Sequence, residues 1–372
     1  MQNQKEISKT ILLTGGHAGS TTYSFVKALQ KREDFKWDIH FIGAKSAIEG
    51  NNVKTLESVY LPKLGVKYHA VSTGRVQRQF TKHTIPSLLR IPGGFLETYK
   101  LLKRIKPNII VSFGGFVGFP VVVLGKFLGI PVIIHEQTAA YGRANKFSEI
   151  FANKILLSRE QSLKFFNKNK SVIVGNPVSE TTLNIKPKSN LSEDPLIFVT
   201  GGSRGSVIIN ENVAEILPQL LRNYKVIHQV GSQDEGKYKL LKESLGELGK
   251  RYQVHGVIDP SIWSKFMEEA DLVISRSGAN IVSDIMSTKR PSILIPIPWS
   301  FADEQMENAK IAKEFGIAEI LPQPELSPQR LLSAIENVFS GWNKMVEMVK
   351  DKTTIDIGAS QRMVQIIIDS IK

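Results

Sequence analysis

The chain has no cysteine among its 372 residues. That excludes disulfides, thiolate metal sites and a cysteine nucleophile. No apolar run approaches the roughly 18 residues that suggest a membrane-spanning helix. The opening MQNQKEISKT lacks the basic-then-apolar pattern of a secretory signal, and ILLTGG is too short to be one. These absences give a cytosolic reading. Two phosphate-binding signatures are missing as well, GxGxxG and GxxxxGK[ST], which removes support for a Rossmann dinucleotide site and for a P-loop. The histidines show no metal-ligand spacing such as H-E-x-x-H. No helix-turn-helix, RRM or KH signature occurs, and aromatics do not alternate with bases, so no nucleic-acid partner is expected.

What remains is an ordinary globular composition, 42% hydrophobic and 22% charged, in a chain long enough for two domains. The net charge of +13 is uneven. Residues 1–170 hold 26 Lys and Arg against 10 Asp and Glu, and the rest hold 22 against 25. An anionic partner for the first half follows.

Short β-rich runs alternate with helical stretches, the pattern of parallel α/β sheets. In the first half they lie at 10–16, 37–43, 108–115, 131–137, 154–158 and 171–177. In the second they lie at 196–202, 225–231, 252–258, 271–278 and 291–298. The polar, proline-containing stretch 174–195 reads as a linker. It divides a domain over 1–176 from a second over 177–354. The expected fold class is two Rossmann-like, doubly wound domains facing across a cleft.

Four strand ends carry glycine turns: Gly15-Gly16, Gly114-Gly115, Gly201-Gly202 and Ser277-Gly278. Each alone is a tight turn. Four in equivalent places suit a phosphorylated ligand, which binds beyond the carboxyl ends of such strands and on helix N-termini. GGSRGS (201–206) is the best phosphate candidate, with Ser203, Arg204 and Ser206 adding donors. In ADLVISRSGANIVSDI (270–285), Asp284 falls two turns into a helix, one turn after Asn280. It reads either as a sugar-hydroxyl acceptor or as a solvated acid. His135-Glu136 at a strand end reads either as general-base chemistry or as a structural pair.

Motifs along the whole chain then resemble the MurG family. They are TGG (14–16), FGGFVGFP (113–120), GIPVIIHEQTAAYGRANK (129–146), VGNPV (174–178), VTGGSRGSVIIN (199–210), HQVG (228–231), the RSGA-containing stretch 270–285, and EQMENA (304–309). That family moves N-acetylglucosamine from UDP-N-acetylglucosamine to undecaprenyl-pyrophosphoryl-N-acetylmuramoyl-pentapeptide, converting lipid I to lipid II. The resemblance implies a GT-B fold, an inverting, metal-independent and cofactor-free transfer, and a last helix near 355–372 packed back on the first domain. It assigns Gly202, Ser203 and Gly205 to the donor phosphates and Ile258 to uracil. Arg276, Ser277 and Gly278 form the RSGA turn. Asp284 stands where the family has a ribose-binding Glu, and Gln305 and Asn308 form the sugar-reading motif. On the acceptor side it assigns Gly15, Gly16, Gly19, Thr138, Gly142 and Asn145.

Departures concentrate in the acceptor half. Ser20 stands where the family has a candidate catalytic His, and Tyr23 where it has Pro. Thr138 replaces an Asn, and Gly118 and Phe119 alter the GGYVSGP motif. The catalytic candidates are therefore Ser20, His17 and Glu136, although a serine is no base at neutral pH without help. Basic and apolar residues in 75–106, among them Arg78, Lys82, Ile85, Leu89, Arg90 and Phe95, form a candidate patch for anionic membrane lipid. Pro92-Gly93-Gly94 is expected to interrupt any long helix there. The expected location is the cytoplasmic face of the cell membrane, held peripherally. Alternatives are a related enzyme with another acceptor, or a weakly catalytic UDP-sugar-binding partner protein.

Overall fold

A computed structural model describes residues 7–16, 19–46, 55–74, 89–202 and 204–371. The chain forms two compact units, Met1–Ser179 with Gly358–Lys372, and Glu180–Ile357.

The first unit is built on seven parallel strands: β1 (Ser8–Thr14), β2 (Lys36–Ala44), β3 (Lys67–Val71), β4 (Ile109–Ser112), β5 (Val132–Glu136), β6 (Lys154–Leu157) and β7 (Ser171–Ile173). Their spatial order is β3-β2-β1-β4-β5-β6-β7. Successive residues of β1 serve opposite faces, as the strand period of two requires. Ile11 and Leu13 enter one core with Phe25, Phe41 and Phe113, while Leu12 enters the other with Ile110, Val121 and Ile134. Both faces are therefore covered, which is why β4 and β5 are apolar almost throughout.

The second unit has six parallel strands: β8 (Leu196–Thr200), β9 (Lys225–Gln229), β10 (Tyr252–His255), β11 (Leu272–Ser275), β12 (Ser292–Leu294) and β13 (Ala318–Ile320), ordered β10-β9-β8-β11-β12-β13. It too has a core on each face, with Phe198 in one and Ile197 and Val199 in the other.

The last helix, Ala359–Ile371, belongs to the first unit. Met363, Val364, Ile367 and Ile368 form its buried stripe, at helical spacing, against the core under the helix Gly19–Gln30. Arg362 ties it down by donating from Nε and Nη2 to the Val174 carbonyl, at 3.0 and 2.8 Å.

One finding differs from the sequence reading. Strands β3 and β13 were not among the expected runs; both are sheet edges and only partly buried, so they lack a strong apolar signal. Pro92-Gly93-Gly94 lies in the opening turn of the helix Ile91–Ile105, which a turn at Arg90 separates from helical Leu89. Proline is at home in a first turn, where its missing N–H has no intrahelical partner to lose. Gly94 fits because a Cβ there would lie 2.4 Å from Thr73 Oγ1.

Candidate active site

In each unit the strand order reverses at one place, between β1 and β4 and between β8 and β11. Ligands of open parallel sheets bind outside the carboxyl ends at such switch points. The four glycine turns occupy those two places and no others.

In the second unit, β8 runs into Gly201-Gly202 and the helix Val207–Asn223. Gly202 and Gly205 have φ of +82° and +72°, the left-handed region that glycine adopts without cost. A Cβ on Gly205 would stand 1.9 Å from the Val230 carbonyl oxygen, and one on Gly201 would stand 2.3 Å from the Ser206 nitrogen. Thr200 Oγ1 accepts from the Gly202 N–H at 3.0 Å and donates to Gln229 Oε1 at 2.6 Å. Beneath, Asn210 Nδ2 donates to the Val230 carbonyl at 2.8 Å, and its Oδ1 lies 3.1 Å from His228 Nε2. Burial lowers the His228 pKa to about 3, so this support is a neutral imidazole.

Beside it, β11 ends at Arg276-Ser277-Gly278, and Gly278 is the residue before the helix Ala279–Thr288. Two helix N-termini thus start at one switch point. Each has a buried serine hydroxyl beside it, Ser206 and Ser277, and among the described residues neither oxygen has a partner. Buried hydroxyls seldom stay unpaired, and helix starts offer N–H groups and positive potential. The arrangement suits a phosphate or pyrophosphate. Arg276 turns inward, donating from Nη1 to the Ile295 carbonyl at 3.1 Å, and burial lowers its pKa to about 10.

Asp284 is half-buried on the helix Ala279–Thr288 and accepts from Trp263 Nε1 at 2.9 Å through Oδ2. Burial raises its pKa to about 7, the buried Asp356 carboxylate adds to the rise, and the indole bond opposes it. It is not an ordinary solvated acid. The motif residues Gln305 and Asn308 lie on the helix Glu304–Phe315 and brace its surroundings. Gln305 Oε1 accepts from the Ile297 N–H at 3.1 Å, and Asn308 Nδ2 donates to the Ser277 carbonyl at 3.1 Å. Before them, Ala302 and Asp303 both have φ near +50°, a strained conformation for non-glycine residues. Ile258 is buried beyond β10, and Ser203 lies outside the described residues.

In the first unit, the Gly16 N–H donates to the Gly114 carbonyl at 3.1 Å, and a Cβ on Gly115 would lie 2.7 Å from the Gly16 nitrogen. The two glycine turns are in direct contact. Gly15 and Gly16 also border a small recess with Glu57, Tyr68 and Phe116. Gly19 and the exposed Ser20 begin the helix Gly19–Gln30, where a Cβ on Gly19 would meet Leu56 at 2.9 Å. His17 lies outside the described residues.

Glu136 is a loop clamp. Its Oε1 accepts from the Thr138 N–H and Oγ1 at 3.1 and 3.0 Å, and its Oε2 accepts from the Gly142 N–H and Asn145 Nδ2 at 2.8 and 3.0 Å. Burial raises its pKa and these bonds pull it back. Of the two readings of the His135-Glu136 pair, this geometry supports the structural one: both Glu136 oxygens are committed to shaping residues 138–145, and the side chain is only 1% exposed. Thr138, Gly142 and Asn145 are the residues so held.

On the helices Ile91–Ile105 and Gly118–Phe127, and in the turn just after Arg143–Ser148, the rings of Phe95, Phe119, Phe151 and Phe127 follow one another at 6.3–6.5 Å. Around them Leu89, Leu96, Phe127, Phe147 and Ile150 are more than half exposed. Arg90, Lys100, Lys103 and Lys126 are exposed in the same segments. Of the six patch residues expected from sequence, Leu89, Arg90 and Phe95 fall here; Arg78, Lys82 and Ile85 lie outside the described residues.

The N-terminal domain of glycosyltransferase family 28 matches residues 11–157, and the C-terminal domain of the same family matches residues 196–363. The chain belongs to glycosyltransferase family 28. Among curated relatives of this family 28 chain, the UDP-N-acetylglucosamine–N-acetylmuramyl-(pentapeptide) pyrophosphoryl-undecaprenol N-acetylglucosamine transferase of Clostridium novyi (strain NT) is 31% identical over 347 residues. That match covers 91% of this chain and 92% of the relative. A Bacillus cereus (strain ATCC 14579) protein of the same name, numbered 2, is 31% identical over 351 residues, covering 92% and 95%. The crystal structure of Acinetobacter baumannii MurG superposes with a TM-score of 0.66 at 21% identity, covering 97% of this chain and 99% of its own, a likeness of fold. The family 28 assignment agrees with the two doubly wound units and with the GT-B expectation.

Sequence reasoning missed Trp263, the partner of Asp284, and the Asn210–His228 support of the phosphate turn. Both act across 18 or more residues of chain, and no local motif announces them.

Proposed function

We propose that this chain transfers N-acetylglucosamine from UDP-N-acetylglucosamine to undecaprenyl-pyrophosphoryl-N-acetylmuramoyl-pentapeptide, the conversion of lipid I to lipid II. The names of its full-length relatives supply the reaction. The observation that carries it to this chain is the β8–β11 switch point, with two glycine-lined helix starts and two buried hydroxyls that have no partner among the described residues and fit a pyrophosphate. In this reading the second unit takes the donor. The turn 201–206, Ser277 and the two helix starts hold the diphosphate, Ile258 borders uracil, Asp284 accepts from the ribose, and Gln305 with its strained loop reads the sugar.

The transfer is inverting and uses no metal ion. An acceptor hydroxyl attacks the anomeric carbon, the bond to the UDP oxygen breaks, and the hydroxyl proton passes to a base. Charge growing on the leaving diphosphate meets preorganised N–H groups and the Ser206 and Ser277 hydroxyls. His17 and Ser20, at the first glycine turn, are the candidates nearest the acceptor side, with Glu136 shaping its loop. The first unit takes the lipid-linked acceptor at Gly15, Gly16, Gly19, Thr138, Gly142 and Asn145. Its aromatic and basic surface rests peripherally on anionic lipid at the cytoplasmic face of the membrane.

Transfer of labelled sugar to a short-chain lipid I analogue in the presence of EDTA tests the reading. Turnover supports it, including metal independence. Saturable UDP-N-acetylglucosamine binding without turnover would instead favour the non-catalytic partner.

A further inference from the structure

We propose that Trp263 is a positioning residue for the donor: its indole N–H fixes the Asp284 carboxylate with one oxygen engaged and the other left for a ribose hydroxyl. This rests on the reading of Asp284 as the ribose contact.

Trp263 opens the helix Trp263–Glu269, and its ring is anchored edge-on to Phe198 of β8, centroids 5.3 Å apart at 65°. Phe266 stacks on the same Phe198 ring at 5.9 Å. The strand that leads into the phosphate turn therefore also fixes the indole. From that anchor Nε1 reaches Asp284 Oδ2 at 2.9 Å, the only hydrogen bond to the Asp284 side chain among the described residues. A carboxylate has two oxygens and about four acceptor sites, so one indole bond leaves Oδ1 unused.

The arrangement is a poor choice for packing alone. A phenylalanine would fill the place beside Phe198 without bringing an N–H that needs an acceptor. A smaller neutral residue at 284 would avoid a half-buried acid facing Asp356, which is itself fully buried. The pair makes sense if the geometry of the carboxylate is what matters. An aspartate can swing about two torsions; an indole held by an aromatic stack removes that freedom before the ligand arrives. Preorganisation of this kind appears as affinity rather than as a faster chemical step.

The test is steady-state kinetics of the full-length protein as Trp263→Phe and Asp284→Asn. Trp263→Phe keeps an aromatic ring beside Phe198 and removes the donor together with one ring of the indole, so the KM and pH readouts, which lost packing alone would not move, carry the test. The substitution should raise KM for UDP-N-acetylglucosamine about tenfold, the loss expected for one hydrogen bond to a charged group, and lower kcat much less. It should also move the acid limb of the kcat/KM profile to higher pH, because the indole bond is the interaction that holds the Asp284 pKa down while burial and Asp356 push it up. A purely structural tryptophan would lower the melting temperature and leave both readouts in place, which overturns the proposal. If Asp284→Asn raises KM and Trp263→Phe does not, the proposal fails while the ribose reading stands. If Asp284→Asn leaves KM unchanged, both fail. Should Trp263→Phe not fold, the indole N–H resonance of the intact protein decides: it should titrate with Asp284 and shift on adding UDP, and indifference to both overturns the proposal.

Discussion

Replacing Asp284 by Asn should stabilise the protein at pH 8 while weakening its hold on the donor. Burial puts the folded pKa of Asp284 at about 7, above the ordinary carboxylate value near 4. A raised folded pKa means that the native state holds the proton more tightly than the unfolded chain, so this group's contribution falls as pH rises from about 4 through 7. The Asn variant should therefore gain several degrees in melting temperature at pH 8 and little at pH 4, as calorimetry at the two pH values would show. Wild-type stability equal to the variant's at both would refute the burial argument. Glu136→Gln should behave oppositely. An amide cannot accept all four bonds, and its NH2 would face the N–H of Gly142 or Thr138. A loss of about 1–3 kcal/mol follows, read as a lower midpoint in denaturant. At this scale the sequence was only half legible. Asp284 and the glycines stood out by type and place, but the roles of Glu136 and Asp284 depend on Thr138, Gly142, Asn145 and Trp263, and burial is not written beside a residue in the chain.

Among the elements, the turn 201–206 was the most legible, because its glycines have a single backbone reason. Gly205→Ala would need a side chain at φ +72° in contact with the Val230 carbonyl. It should abolish UDP binding by calorimetry and destabilise the second unit by about 1–3 kcal/mol. The three-helix surface was less legible. Its bases and apolar residues in 75–106 were visible, but Phe119, Phe127, Phe147 and Ile150 come from further along and join only when the helices Gly118–Phe127 and Arg143–Ser148 pack beside Ile91–Ile105. The changed motif FGGFVGFP has a physical account here. Gly118 leaves room for Ser112 Oγ, from which a Cβ would lie 2.7 Å, and the half-buried Phe119 adds a ring to the aromatic row. Leu96→Glu with Phe127→Glu should reduce sedimentation with anionic vesicles severalfold and leave the melting temperature unchanged, since both side chains are already exposed. Undiminished vesicle binding would move the docking surface elsewhere.

For the molecule as a whole, both halves use one device. An all-parallel sheet is covered on two faces, so its strands carry apolar residues throughout, and in each half a pair of glycine turns falls where the strand order reverses. That is why fold class could be read from strand runs and turns, whereas β3 and β13, half-covered at the edges, could not. The central claim is that these two units together move an N-acetylglucosamine residue onto a lipid-linked acceptor. One measurement tests it most directly: transfer of labelled sugar from UDP-N-acetylglucosamine to a short-chain lipid I analogue, with EDTA present. The account predicts labelled disaccharide product, lost in Gly205→Ala. Absence of product from a folded protein that binds both substrates would contradict it.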